Sequence, residues 1–355
     1  MLIFDEFLDS DVILPEGTLL LNIETTGLSP RNAFIYMIGV GWQSKNGLQT
    51  RCLLAGSRMD ERKLMETFYG LLNHYSRILT FGGRSFSARF MSDRWTNYSD
   101  NEKNLFEGLI LEDIQKEIAP FKTILSLTDL KKDTVEDFLS FHRQSRTSGK
   151  ELIQIFGEWE RNHDDTARRR LLEHHRDDMM SILCLYRLSA YTAFCRGIFS
   201  EVLSWQLKEN VCCFQLLLRF PVPRPVHYKT RHCIITLDGE KADLMIPFFE
   251  GRLKFFLPGP VKDYYYLPAE DQAVHRCVAC YVDKSHRQKA TAATCYTHTD
   301  GIFLPTDSRE ITPYFQTDYQ SKEFYILYDP EKWQKDPDIL NRYLISCIKE
   351  PPQFL

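Results

Sequence analysis

Short apolar runs punctuated by turn residues fill the first part of the chain. Thr18-Leu19-Leu20-Leu21-Asn22-Ile23-Glu24 reads as a strand that turns polar at its end and runs into Thr25-Thr26-Gly27. After a turn signalled by Ser29-Pro30, the run from Ile35 to Trp42 reads as a second strand, and Leu48 to Leu54 as a third. Between Arg58 and Tyr75 the spacing of Leu64, Phe68, Leu71 and Leu72 predicts a helix, and Ile78 to Phe81 a strand entering Gly82-Gly83. From Asp113 to Thr192 the pattern is helical almost throughout, with stripes at Val135, Phe138, Leu139 and at Leu152, Ile155, Phe156. Early strands followed by helices predict an α/β unit, a mixed sheet flanked by helices.

Beyond Pro221 to Pro225 the vocabulary changes to short β-type runs at Cys233 to Leu237, Leu244 to Phe249, Leu253 to Leu257, Cys277 to Val282 and Phe324 to Leu327, closed by a helix over roughly Asp338 to Ile348. With 355 residues the chain suits two domains of roughly 150 to 200 residues. We place them at 1–195 and 208–355, the second smaller and mostly β, with the boundary near Arg196 to Leu207. Hydrophobic residues at 43% and charged residues at 26% are those of an ordinary globular protein. The net charge of −4 provides no global basic field, so contact with nucleic acid must come from a local patch or from bound ions. No stretch approaches the roughly 20 apolar residues of a membrane helix, and the opening Met-Leu-Ile-Phe-Asp-Glu-Phe carries acids where a signal peptide carries bases. The ten cysteines are irregularly spaced, several in apolar runs. A cytoplasmic protein with reduced thiols is the expectation.

Candidate chemistry concentrates at two places. Glu24 ends the first predicted strand, where a side chain can emerge beside the following loop. His174 and Asp178 stand at i and i+4 of a predicted helix and share one face. Each of these, taken singly, also fits a solvated charged surface. Together they suit phosphodiester hydrolysis, which needs carboxylates from distant segments converging on two divalent cations about 4 Å apart.

These segments resemble the three motifs of the DEDD 3′–5′ exonuclease superfamily, within the ribonuclease-H-like fold. Leu20-Leu21-Asn22-Ile23-Glu24-Thr25-Thr26-Gly27 resembles the first motif, Asp-x-Glu-Thr-Thr-Gly, with Asn22 at the aspartate position. Thr80-Phe81-Gly82-Gly83-Arg84-Ser85-Phe86-Ser87 resembles the second, Asn-Gly-x-x-Phe-Asp, with Gly82 for the asparagine and Ser87 for the aspartate. His174-His175-Arg176-Asp177-Asp178 resembles the third, His-Asn-x-x-Asp, with its histidine and final aspartate in place. The region from about Leu19 to Thr192 resembles YprB-type ribonuclease-H-like proteins. That resemblance implies metal ligation by Glu24 and Asp178, a general-base role for His174, and weakened ligands at Asn22 and Ser87, which offer a carbonyl and a hydroxyl in place of charge. Asp93 and Asp177 point elsewhere on their helices and are not replacements.

A site reduced from four carboxylates to two implies weak or absent exonuclease activity, with Mg2+ or Mn2+ as cofactor if active and none otherwise. The leading expectation is therefore a nucleic-acid-binding protein that takes single-stranded DNA or RNA. A metal-dependent 3′–5′ exonuclease and a protein-interaction scaffold are its rivals. In the second domain, Cys277, Cys280, Cys295 and His298 have zinc-site spacing. The first pair lies in an alternating strand pattern, which sends residues three apart to opposite faces, so no zinc is expected there. Lys284, His286, Arg287 and Lys289 with Tyr264, Tyr265 and Tyr266 make a candidate basic and aromatic surface, though tyrosine runs more often pack a β core.

Overall fold

The computed structural model describes residues 1–45, 47–98 and 104–350. The tail of the second expected domain, 351–355, lies outside the described residues. The chain divides into two units, Met1–Thr192 and Ala193–Leu355.

The first unit is built on a six-stranded sheet. Its strands are β1 (Leu2–Asp9), β2 (Thr18–Thr25), β3 (Ile35–Ser44), β4 (Gly47–Leu54), β5 (Arg77–Thr80) and β6 (Ile110–Asp113). They lie in the order β1-β4-β3-β2-β5-β6, antiparallel from β1 to β2 and parallel from β2 through β5 to β6. Central β2 has helices over both faces, which is why its apolar run is nearly continuous. The flanking helices are α1 (Glu61–Leu72), α2 (Ser87–Trp95), α3 (Ile114–Ile118), α4 (Lys132–Phe138), α5 (Gly149–Asn162) and α6 (Asp165–Tyr186). Local chemistry sets their ends. Ser148 and Glu151 form a reciprocal capping box on α5, whose chain leaves through His163 in a left-handed conformation, and Asp164 caps α6 by accepting from the Ala167 N–H. The first-unit core joins the sheet face opposite Asn22 and Gly39 to α1 and α5 through Leu21, Ile23, Ile38, Phe68, Phe156 and Trp159.

One backbone feature positions the rest. In β3, Gly39 pairs with Asn22 of β2, so both belong to the sheet face on which α6 packs. A Cβ on Gly39 would stand 2.5 Å from His175 Nδ1 and 3.2 Å from Met179 Cε. Only a bare Cα lets α6 lie this close to the strand pair, and that approach brings the first and third motifs together.

The second unit carries a five-stranded antiparallel sheet of β7 (Phe199–Lys208), β8 (Val211–Leu218), β9 (Val226–Lys229), β10 (Ile234–Asp238) and β11 (Lys241–Pro247), ordered β7-β8-β11-β10-β9. Strand β7 runs through the stretch read from sequence as the boundary. Two three-stranded sheets follow: β12 (Phe249–Phe256), β16 (Tyr296–Thr306) and β17 (Phe324–Leu327), then β13 (Tyr264–Leu267), β14 (Gln272–His275) and β15 (Gln288–Lys289). Strict alternation along β8 and β11 buries Cys212, Phe214, Leu216, Ala242, Leu244 and Ile246. Trp333, from the short helix Pro330–Lys335, is buried beside Phe214 and Tyr328. A mixed sheet flanked by helices and followed by β-rich sheets is the architecture anticipated from the pattern.

One expected strand is corrected. Cys277 to Val282 is not extended: Arg276–Ala279 forms a helical turn capped by His275, which accepts from the Cys277 N–H. Its apolar alternation is too short to separate a strand from a turn of helix. Strand β1 at the sheet edge was not anticipated, because charged residues interrupt its apolar positions.

Paired glycine substitutions test the packing at β3. Gly39→Ala is expected to cost about 1–3 kcal/mol through overpacking against His175. Gly157→Ala, inside α5 with open space around it, should instead stabilise by roughly 0.5–1 kcal/mol. Urea unfolding of both variants checks this; a Gly39→Ala protein as stable as the parent would refute the close-approach account.

Candidate functional site

Alternation along β2 puts Asn22 and Glu24 on one face, two residues apart, at the strand end that opens into the Thr25–Pro30 loop. Across from them, successive turns of α6 present His174 and Asp178. Lys132 opens α4, and Arg143 stands in the connection between α4 and α5. These six side chains line one cavity of about 490 Å³.

The contacts inside it are dense. Asn22 Nδ2 donates to Asp178 Oδ2 at 2.6 Å and to Glu24 Oε1 at 3.3 Å. His174 Nε2 lies 3.1 Å from Asp178 Oδ2 and 3.4 Å from Glu24 Oε1. On the other oxygen, Asp178 Oδ1 meets Lys132 Nζ at 2.7 Å and Arg143 Nη2 at 2.9 Å. Arg143 is held in turn by Glu136 of α4 through two hydrogen bonds, Nε to Oε2 at 2.8 Å and Nη2 to Oε1 at 2.7 Å. Ser181 of α6 donates to the same Glu136 Oε1.

The charges follow from these contacts. Burial alone would raise the Asp178 carboxyl, but Lys132, His174 and Arg143 hold it well below the usual carboxylate range. Burial would lower His174, yet its hydrogen bonds to Asp178 and Glu24 and their charges push it up to about 9. Its other ring nitrogen, Nδ1, is buried and has no hydrogen-bond partner among the described residues. The next residue, His175, faces the sheet beside Gly39, and burial pushes it down to about 4 against the pull of Asp178. Consecutive histidines on one helix, about 100° apart, thus carry opposite charge states at neutral pH.

The structure brings together four of the residues singled out from sequence: Asn22, Glu24, His174 and Asp178. Ser87 is not among the residues lining their cavity; it is the first residue of α2 and is buried. Asp177 turns away and accepts from the Ser145 N–H at 3.0 Å. Sequence reasoning missed Lys132, Arg143 and Glu136, which lie on α4 and the loop after it, where periodicity says nothing about where a charged side chain ends up. It also missed Asp113, whose buried carboxylate accepts from Gly82 N at 2.7 Å and Arg84 N at 3.1 Å and so holds the second-motif turn.

Residues 19–189 match a family model described as RNase_H superfamily. The first unit has a ribonuclease-H-like fold. No curated protein matches the sequence. Solved structures similar to the chain include the family B DNA polymerase from the hyperthermophilic archaeon Pyrobaculum calidifontis, at 12% identity and TM-score 0.40, over 72% of this chain and 39% of the polymerase. Two ExoI structures are also similar. A zinc-bound complex of the E. coli protein with single-stranded DNA has 10% identity and TM-score 0.30, over 95% of this chain and 74% of that one. An ExoI/SSB-Ct complex has 8% identity and TM-score 0.31, over 94% and 74%.

Divalent metal chemistry in a ribonuclease-H-like unit requires lone pairs converging on the ions. Here the Asp178 carboxylate is already occupied by donors. Both Asp178 oxygens carry two donors each, the Glu24 oxygen nearest Asp178 faces Asn22 and His174, and Asn22 presents its amide nitrogen to the carboxylates. Three carboxylates, Glu24, Glu136 and Asp178, meet three basic groups, Lys132, Arg143 and His174. Glu24, His174 and Asp178 still converge closely enough to hold one ion, and Lys132 and Arg143 compete with it for Asp178.

The two histidines set the pH dependence of stability. An unfolded histidine titrates near 6.5. His175, depressed to about 4 when folded, makes stability fall as pH drops from about 6.5 to 4. His174, raised to about 9, contributes stability that is full below about 6.5 and is lost as pH rises through 9. Tm measured against pH should therefore peak near 6.5. His174→Gln is expected to flatten the alkaline limb and His175→Leu the acid limb; an alkaline limb that persists in His174→Gln would show that another group sets it.

Proposed function

We propose that the first unit binds single-stranded nucleic acid and does not hydrolyse it. The observation that carries this reading is the pair of cations, Lys132 and Arg143, seated on Asp178 where a metal-dependent nuclease needs a free carboxylate. A fixed ammonium or guanidinium neutralises phosphate but cannot lower the pKa of a bound water as a metal ion does. Asn22 belongs to the same design: an aspartate at that position would crowd a third carboxylate against Glu24 and Asp178, whereas the amide donates to both.

A place for the strand is supported by an open groove of about 1040 Å³ beside the Thr25–Pro30 loop. It is lined by Arg31, Arg89, Phe86 and Leu28, the last 87% exposed at the loop tip. Guanidinium groups for phosphates and apolar side chains for bases are the combination that holds single strands without reading their sequence.

A 5′-labelled single strand tests both halves of the proposal. The native protein should retain the strand with an affinity that falls linearly with salt on logarithmic axes, and should leave it full length in magnesium or manganese. Arg31→Ala/Arg89→Ala should weaken retention. Asn22→Asp/Lys132→Ala, which restores one carboxylate and removes one cation while leaving the Arg143–Glu136 pair intact, should be the form that gains metal-dependent trimming. Trimming by the native protein that disappears in Glu24→Ala would replace this reading with that of a working exonuclease. Absence of retention at low salt would remove nucleic acid from it.

A further inference from the structure

Three side chains of the second unit meet at a place where the sequence suggested no chemistry. His232 stands between β9 and β10, Asp307 follows the last residue of β16, and Glu350 lies two residues beyond the helix Pro337–Ile348. His232 Nε2 is 3.2 Å from Asp307 Oδ1 and 4.0 Å from Glu350 Oε1. All three ligand atoms lie within 4.8 Å of one another.

The Glu350 side chain is only 7% exposed and that of His232 15%. A buried carboxylate needs a counter-charge. Among the described residues, the basic side chain within 4 Å of Glu350 is the His232 imidazole. The other Glu350 oxygen accepts the His232 main-chain N–H at 3.1 Å, which fixes the carboxylate with Oε1 toward the ring. Arg231 bonds Asp307 Oδ1 at 2.8 Å, but both side chains are about half exposed and such a pair is weak. The Glu24, His174 and Asp178 group of the first unit has the same donor types and carries two cations of its own on one oxygen. Among the described residues of the second unit, no lysine or arginine pairs with the buried Glu350 carboxylate.

We propose that His232, Asp307 and Glu350 bind one divalent transition-metal ion of the zinc class. It would fasten the segment after the last helix to the ends of two sheets. One imidazole and two carboxylates form a mixed nitrogen and oxygen set that suits zinc and disfavours magnesium, which takes oxygen donors. Tetrahedral bonds of about 2.1 Å to a common ion place ligand atoms about 3.4 Å apart; the 3.2 Å separation of His232 from Asp307 matches this, and the 4.0 Å separation from Glu350 closes to it with a small inward shift. Water completes the coordination.

The test is calorimetric titration of the full-length, chelator-treated protein with zinc chloride, paired with thermal unfolding and native mass spectrometry. One equivalent of zinc should bind and raise Tm, while magnesium alone does neither. Glu350→Gln should weaken zinc at least tenfold, and His232→Ala and His232→Gln should abolish binding with the far-ultraviolet circular dichroism unchanged. Cys277→Ser/Cys280→Ser and Glu24→Ala should bind as the native chain does. Failure of the native protein to take up zinc overturns the proposal by itself, whatever the variants do. So does uptake that survives both His232 substitutions, and uptake lost with the cysteine pair would move the ion to that exposed dithiol.

Discussion

A carboxylate buried at Asp178 has to be neutralised, and the way this is done organises the candidate site. Lys132 comes from the start of α4, Arg143 from the loop that follows it, and His174 from one turn earlier on α6. Glu136 and Ser181 hold the guanidinium in place, so the network ties α4 to α6 and pins the loop between α4 and α5. Removing one member of a buried pair leaves an uncompensated charge and costs about 3–5 kcal/mol. The arrangement is therefore as much a structural joint as a binding pocket.

Nothing in that joint forms unless α6 lies against β2 and β3, and the sheet supplies the space through a missing side chain. Gly39 admits His175 as a neutral ring, and the same rotation of the helix turns His174 and Asp178 toward Glu24. A core contact and a charged cluster thus share one helix register. Slipping α6 by a residue would move it about 100° and put a charged imidazole against the strand pair. Helix register is fixed from both sides, by crowding at Gly39 and by hydrogen bonding at Asn22.

The strand and helix pattern of the first unit was readable because β2 and β3 are continuous apolar runs and α5 carries an apolar stripe at Leu152, Ile155 and Phe156. The four motif residues that meet were legible for the same reason: strand alternation and the i, i+4 rule say which side chains share a face. What escaped was set by tertiary path. Lys132 and Arg143 reach Asp178 only because the α4 segment folds over the pocket, and no local pattern records that. Ser87 was expected as a weakened metal ligand because a motif preserves order along the chain; in the structure it begins α2, is buried and does not line the cavity of the other four. At Cys277 to Cys280 a few alternating residues fit a strand and a helical turn equally well, and the structure chose the turn. With those residues three apart on one turn, the geometric reason for separating the two thiols disappears, although their ligand atoms form no metal-sized group with Cys295 and His298 among the described residues.

On the proposed reading, an exchange of metal ligands for internal cations has a consistent chemical direction. Asn22 replaces an acid, Lys132 and Arg143 add positive charge, and His174 is held protonated by the acids that remain. Each change lowers the demand for an external ion, and none supplies what an ion does for water. His174 Nε2 is directed at Asp178 and Glu24, whose charges favour its protonated form. The groups that remain suit recognition of a phosphate backbone, where fixed positive charge and aromatic or aliphatic surface are sufficient.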